Sequence, residues 1–78
     1  MRKRNNPDTL ARAQEQIDKI SGADSYTAVG MRTSASRAWL LALYTEDLID
    51  HGEYGRLSEV VDQQRDQREA ELKAAAKA

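Results

Sequence analysis

The chain has 78 residues and a formal net charge of −1, which allows one small domain and excludes a multidomain enzyme. Twelve residues are alanine, there is one Trp, and Phe and Cys are absent, so the core is small and has no disulfide. The balanced charge excludes the strongly basic field of nonspecific nucleic-acid binders, and no apolar run reaches the length of a membrane span. We expect a cytoplasmic protein without a cofactor that gains stability by forming a homodimer.

A first helix is predicted over about residues 7–20. Asn6 suits the N-cap position, Pro7 suits the first helical position, and Asp8 favours the positive end of the helix. An apolar stripe at three- and four-residue spacing follows, formed by Leu10, Ala13, Ile17 and Ile20. Ser21 and Gly22 end the helix.

The next segment, "YTAVGMRT" at residues 26–33, is rich in residues that favour β-structure. It predicts a short strand that Gly30 weakens in its middle. Because side chains alternate along a strand, Val29 would face the core and Arg32 would face outward.

A second helix is predicted over about residues 35–50, with Ser34 or Ser36 as its cap. Its apolar side chains cover most of the helix circumference, which indicates burial against more than one neighbour. The residues expected in the core or at a dimer contact are Trp39, Leu40, Leu43, Leu48 and Ile49. His51 and Gly52 stand where a C-terminal cap belongs.

A third helix is predicted over about residues 58–76, capped by Ser58. Few large apolar residues follow Val61, so most of this helix is expected to be solvated. The chain therefore divides into a basic flexible tail (1–6), a compact helical core (7–61) and a polar, solvent-exposed helical arm (62–78).

One polar group has the composition of a catalytic site: Asp47, Asp50, His51 and Glu53. Asp47 and His51 are four residues apart and can share a helix face. With a single His and no Cys, the chain has neither a thiol–His pair nor two His ligands for a metal. The favoured interpretation is that this cluster solvates a helix end, so we expect no enzymatic activity.

The stretch "GEYGRLSEVV" (Gly52–Val61) resembles the turn and second-helix start of ParD-type ribbon-helix-helix antitoxins. In that family a short strand precedes two helices, and two chains pair their strands into a ribbon that enters the DNA major groove. A C-terminal segment binds a toxin. The resemblance implies an intertwined dimer with residues 26–33 as the strand, and a DNA-binding regulator of plasmid or phage maintenance.

Six residues are candidates for DNA contact under this resemblance. Arg32 would read guanine edges, and Arg56 with the amides at Ser58 would hold a phosphate. The basic tail supplies the remaining three, which are Arg2, Lys3 and Arg4.

Two alternatives stay open for the fold and one for the function. The helices at 7–20 and 35–49 could be the two helices of the ribbon-helix-helix pattern, or the chain could be an all-α hairpin or bundle without any strand. The alternative function is a helical protein–protein interaction module, an inhibitor or adaptor without a DNA role. A protein partner would then bind residues 62–78.

Overall fold

The computed structural model describes residues 4–77. Within this range the chain forms three α-helices, a 3₁₀ turn and no strand. The helices are α1 (Pro7–Asp18), α2 (Tyr26–Thr45) and α3 (His51–Lys77), and the 3₁₀ turn (Lys19–Gly22) follows α1. The mainly α prediction with three helices is confirmed, and the all-α alternative describes the architecture.

The start of α1 is as predicted. The side chain of Asn6 accepts a hydrogen bond from the backbone N–H of Asp8 (2.9 Å), and Pro7 begins the helix. Ala13 and Ile17 are fully buried, and Ile20 is buried in the 3₁₀ turn. The predicted stripe therefore does face the core.

The predicted strand at residues 26–33 is wrong, because these residues form the first two turns of α2. Ser25 caps the helix, and its hydroxyl accepts a hydrogen bond from the backbone N–H of Ala28 (3.1 Å). Val29 and Thr33 stand four residues apart and are both buried on the inner face. A preference for β-structure is weak, and packing of the helix overrides it here. Without a strand, an intertwined ribbon dimer has no pairing element.

The boundary between α2 and α3 also differs from the prediction. Thr45 ends α2, and residues 46–50 form a turn in which Asp47 has a positive φ of 61°. Asp50 then caps α3, because its Oδ1 accepts a hydrogen bond from the N–H of Glu53 (2.8 Å). Gly52 lies inside α3 with negative φ, so its predicted role as a left-handed cap is wrong.

Ser58 lies well inside α3 and does not start a helix, which corrects the predicted start of the third helix. The helix has 27 residues and is therefore about 40 Å long. It runs antiparallel to α2, since Tyr54 stacks on Tyr44 at one end and Asp62 pairs with Arg37 further along.

The core lies between α1, α2 and the first half of α3. Its buried apolar residues are Ala13, Ile17, Ile20, Ala23, Val29, Leu40, Ile49, Leu57 and Val61. Of the residues predicted for the core or a dimer contact, Leu40 and Ile49 are buried, Leu43 and Leu48 are half-buried, and Trp39 is exposed by 41%.

Residues 62–77 continue α3 and contact the rest of the chain at several points. Arg68 donates a hydrogen bond to the carbonyl of Ala23 (2.6 Å), and Leu72 packs partly buried against the core. No helix in the described part of the chain combines the length and apolar character that a bilayer crossing needs.

Candidate functional site

Two regions have features of a functional site: a polar cleft at the corner between α2 and α3, and the solvent-facing side of α2. The cleft has a volume of about 290 Å³. Its lining residues are Arg4, Tyr44, Asp47, Ile49, Asp50 and His51. It therefore brings together three members of the polar cluster that the sequence indicates, and the fourth, Glu53, lies in the first turn of α3.

Both carboxylates of the cleft form ion pairs or hydrogen bonds within the chain. Asp47 pairs with Arg4 (2.7 Å), and Asp50 accepts hydrogen bonds from the N–H of Glu53 and from Nδ2 of Asn5 (2.9 Å). The bond from Glu53 and then that from Asn5 lower the pKa of Asp50 below its ordinary value of 3.8. Asp50 is thus a charged helix cap, which is a poor proton acceptor near neutral pH.

His51 contacts the side chain of Tyr44 in this cleft. Its Nδ1 lies 3.4 Å from the hydroxyl of Tyr44, whose ring stacks on Tyr54 with a centroid distance of 4.8 Å. Among residues 4–77, no group of three or more His, Asp or Glu side chains is placed to hold a metal ion. The cleft thus holds a helix corner together, and its geometry favours no particular chemistry.

The candidate DNA-contact residues that the structure describes do not form one surface. Arg4 lies at the α2–α3 corner, whereas Arg32 donates a hydrogen bond to the carbonyl of Lys19 (2.6 Å) near the start of α2. Fifteen residues of helix and turn separate Arg32 from Asp47, which corresponds to about 20 Å.

Arg56 and Ser58 also differ from the expected phosphate clamp. Arg56 pairs with Glu53 (2.7 Å) within α3. Ser58 is half-buried and lies well after the first turn of α3. Only the N–H groups of the first turn lack a partner within the helix, so the amide of Ser58 is not available to hold a phosphate. Arg2 and Lys3 fall outside the described residues.

The solvent-facing side of α2 is the second region, called the outer face here. Its residues recur at three- and four-residue spacing, and all are exposed: Thr27, Met31, Ser34, Ala35, Ala38, Leu41, Ala42 and Thr45. Met31 is exposed by 69% and Leu41 by 54%, although both side chains are large and apolar. The outer face carries no charged residue over about 27 Å of helix.

The only charged residues of α2 are Arg32 and Arg37, and both turn away from the outer face. Arg32 bonds to Lys19, and Arg37 forms an ion pair with Asp62 in α3 (2.6 Å). The hydrogen bond from Arg37 also lowers the pKa of Asp62. Both arginines therefore connect α2 to its neighbours within the chain and leave the outer face neutral.

A small groove adjoins one edge of the outer face. It has a volume of about 170 Å³ and lies where α1 meets α2 and the following turn. Its lining residues are Thr9, Arg12, Trp39, Leu43 and Leu48. Trp39 borders both the groove and the outer face, so the apolar surface continues around the helix.

The sequence contains one signal for the outer face. Apolar residues surround the second helix on most sides, which predicts contact with more than one neighbour. In the described chain only the inner side of α2 is covered, by α1, the 3₁₀ turn and α3.

The fold defines a small three-helix protein, and comparison with known proteins does not narrow this class. No protein-family model matches the chain, and no curated protein or solved structure matches it significantly.

Proposed function

We propose that this chain is a non-enzymatic protein–protein interaction module that binds an apolar helical partner on the outer face of α2. The observation that carries the proposal is the uncharged, exposed strip of α2, in which Met31 and Leu41 stand free in solvent. Contiguous exposed apolar surface of this kind is characteristic of protein interaction sites.

A helix fits this surface better than an extended segment does. Ser34, Ala35, Ala38 and Ala42 are small and leave shallow grooves between the turns of α2. The side-chain ridges of a second helix can enter such grooves at a short interaxial distance. An extended segment would need exposed backbone groups of a sheet edge, and the described chain contains no strand.

Charge distribution favours this proposal over DNA binding. Arg4, Arg37, Arg56 and Arg65 each pair with a carboxylate, and Arg32 bonds to a backbone carbonyl. Binding to the phosphate backbone needs several cations aimed at one surface. DNA binding without a ribbon stays a prediction, and a test is given in the Discussion.

A photo-crosslinking experiment tests the interaction face. The photoreactive residue p-benzoylphenylalanine is placed at Leu41, with the same residue at the exposed Glu59 of α3 as a matched control. In cells that make the full chain, irradiation should give one discrete product from position 41 and none from position 59. The partner is identified by mass spectrometry.

Adding Ala38→Arg to the position-41 variant should abolish this product. Arg is a good helix former and Ala38 is exposed, so the free energy of unfolding should change by less than about 0.5 kcal/mol. Absence of any discrete product from position 41 would overturn the proposed function, as would a product that Ala38→Arg leaves unchanged.

A further inference from the structure

We infer that the groove between α1 and α2 holds a large apolar side chain of the partner helix, and that Arg12 at its rim binds a carboxylate on the same helix. The inference rests on the proposed function and specifies the chemistry of the partner. That partner is an amphipathic helix whose contact face carries a large apolar residue three or four positions from an Asp or Glu.

The groove has an apolar floor and a cationic rim. Leu43 and Leu48 are half-buried, whereas Trp39 is 41% exposed and Arg12 is exposed. Its volume of about 170 Å³ is below the range of about 300–1,000 Å³ that is usual for small-molecule pockets. The groove therefore fits one large side chain of a partner better than it fits a whole small molecule.

Arg12 has its hydrogen-bond donors available. Among residues 4–77 it is the only arginine that forms neither an ion pair nor a hydrogen bond within the chain. Asp8 and Glu15 lie within one turn of it on α1, and neither of them pairs with it. The arginines that do have partners are Arg4, Arg32, Arg37, Arg56, Arg65 and Arg68.

The charge and the polar groups of the groove select an anionic group. None of its lining residues is acidic. The indole N–H of Trp39 and the hydroxyl of Thr9 form no hydrogen bond in the described chain, so both are further donors beside the guanidinium. A partner with Lys or Arg here would meet a like charge. A wholly apolar partner would remove Arg12 from water without giving it an acceptor, which costs free energy.

The spacing across the groove fits two residues of one helix. Thr9 and Arg12 are three residues apart on α1, and Trp39 and Leu43 are four residues apart on α2, so each wall is about one helical turn long. Residues three or four apart on a partner helix have β-carbons about 5–6 Å apart. One of them can enter the groove while the other reaches Arg12, whose guanidinium can bind a carboxylate through two parallel hydrogen bonds.

Selection from a phage-displayed library of random peptides against the full chain tests this chemistry before a partner is known. Peptides of about 16 residues span about four helical turns. We expect the enriched peptides to combine a large apolar residue with Asp or Glu three or four positions away. A parallel selection against Arg12→Gln should lose the acidic preference. Lys73→Gln is the matched control, because it removes the same charge from an exposed position of α3 and should keep the preference.

The most enriched peptide is then synthesised, together with a copy in which Lys replaces its acidic residue. Fluorescence of Trp39 measures the dissociation constants. Arg12→Gln should weaken binding of the acidic peptide by about fivefold or more, as expected for loss of one ion pair. Arg12→Glu should reverse the preference and bind the Lys peptide more tightly than the acidic one. Such a reversal cannot arise from a loss of folding.

Two results would overturn the inference: a selection that enriches no peptides, and enriched peptides whose acidic preference is absent or is retained by Arg12→Gln. The substitution Ala38→Arg separates this failure from that of the proposed function. Peptides that lose binding to Ala38→Arg but keep it to Arg12→Gln would leave the outer face as the interaction site, and the groove alone would fail. Peptides that depend on Arg12 and not on Ala38 would support the groove and count against the outer face.

Discussion

Nε of Arg68 donates a 2.6 Å hydrogen bond to the backbone carbonyl of Ala23, which joins the middle of α3 to the segment before α2. Arg68 is 45 residues from Ala23 in sequence and also pairs with Glu71 (3.1 Å). Leu72, one turn further along α3, is partly buried against the core. The second half of α3 therefore contributes to folding as far as Leu72.

Two truncations test this contribution. Removal of the residues after Arg65 eliminates the Arg68 bond and the Leu72 contact, and should lower the free energy of unfolding by about 2–4 kcal/mol. Removal of the residues after Lys73 should lower it by less than about 0.5 kcal/mol, since residues 74–77 are exposed. Urea denaturation followed by circular dichroism measures both. Equal stability of the two truncated chains would contradict this assignment.

Thr33→Val should stabilise the protein by about 1 kcal/mol. The hydroxyl of Thr33 is buried and has no hydrogen-bond partner, so it carries a desolvation cost that Val avoids at nearly the same volume. Thr27→Val in the exposed first turn of α2 is the matched control and should change stability by only a few tenths of a kcal/mol. Chemical denaturation at equal protein concentration compares the two, and a destabilised Thr33→Val variant would indicate that the hydroxyl has a partner.

Gly55→Ala should stabilise the protein by about 0.5–1 kcal/mol. Gly55 lies in α3 with negative φ, and a β-carbon added there meets no atom within 4 Å. Alanine therefore removes chain entropy from the unfolded state without strain. Gly52→Ala should be tolerated as well, because its β-carbon would lie 3.5 Å from Oδ1 of Asp50, an ordinary contact. Thermal unfolding tests both variants, and a loss of stability in Gly52→Ala would show that the added β-carbon disturbs the Asp50 cap.

The stability of the protein should fall in acid partly through Asp50. The folded-state pKa of this carboxyl is lowered, so its charge favours folding above the ordinary value of 3.8, and that contribution is lost as the pH falls through the lower folded pKa. Asp50→Asn keeps an acceptor at the cap but removes the charge. The difference in urea midpoint between pH 7 and pH 3 should be smaller in Asp50→Asn than in the unsubstituted chain. Equal differences in the two chains would contradict this role of the Asp50 charge.

A salt titration with random duplex DNA separates the two functions that the sequence suggests. The interaction-module proposal expects no detectable binding by fluorescence anisotropy at low salt. Binding that weakens by about 0.9 log units per log unit of salt for each neutralised phosphate would instead support the DNA-binding prediction. Charge reversal at Arg32 would then show whether that residue contributes.

The sequence predicts correctly those parts of the fold that depend on interactions between neighbouring residues. Asn6 and Pro7 define the start of α1 through hydrogen bonding and backbone geometry that involve only neighbouring residues. The start of α2 is missed because Val29 and Thr33 have side chains that favour strands and yet face the core at helical spacing.

The start of α3 is missed for a related reason. Gly52 and Gly55 suggest a break, and Ser58 has the chemistry of a cap, whereas the cap is Asp50. Asn5 holds Asp50 in place from 45 residues away, and local sequence gives no sign of such a contact. The same applies to the corner cleft, whose clustered carboxylates are visible in the sequence but whose pairing with the N-terminal segment is not.

The position of Trp39 provides an optical reporter that needs no label. It is the only Trp of the chain and is 41% exposed at the border of the outer face, so its fluorescence comes from this region alone. Docking of any helix at this border should shift the emission to shorter wavelength and reduce quenching by iodide. A dilution series therefore tests whether the unmodified protein self-associates, and a candidate partner can be titrated against the same signal.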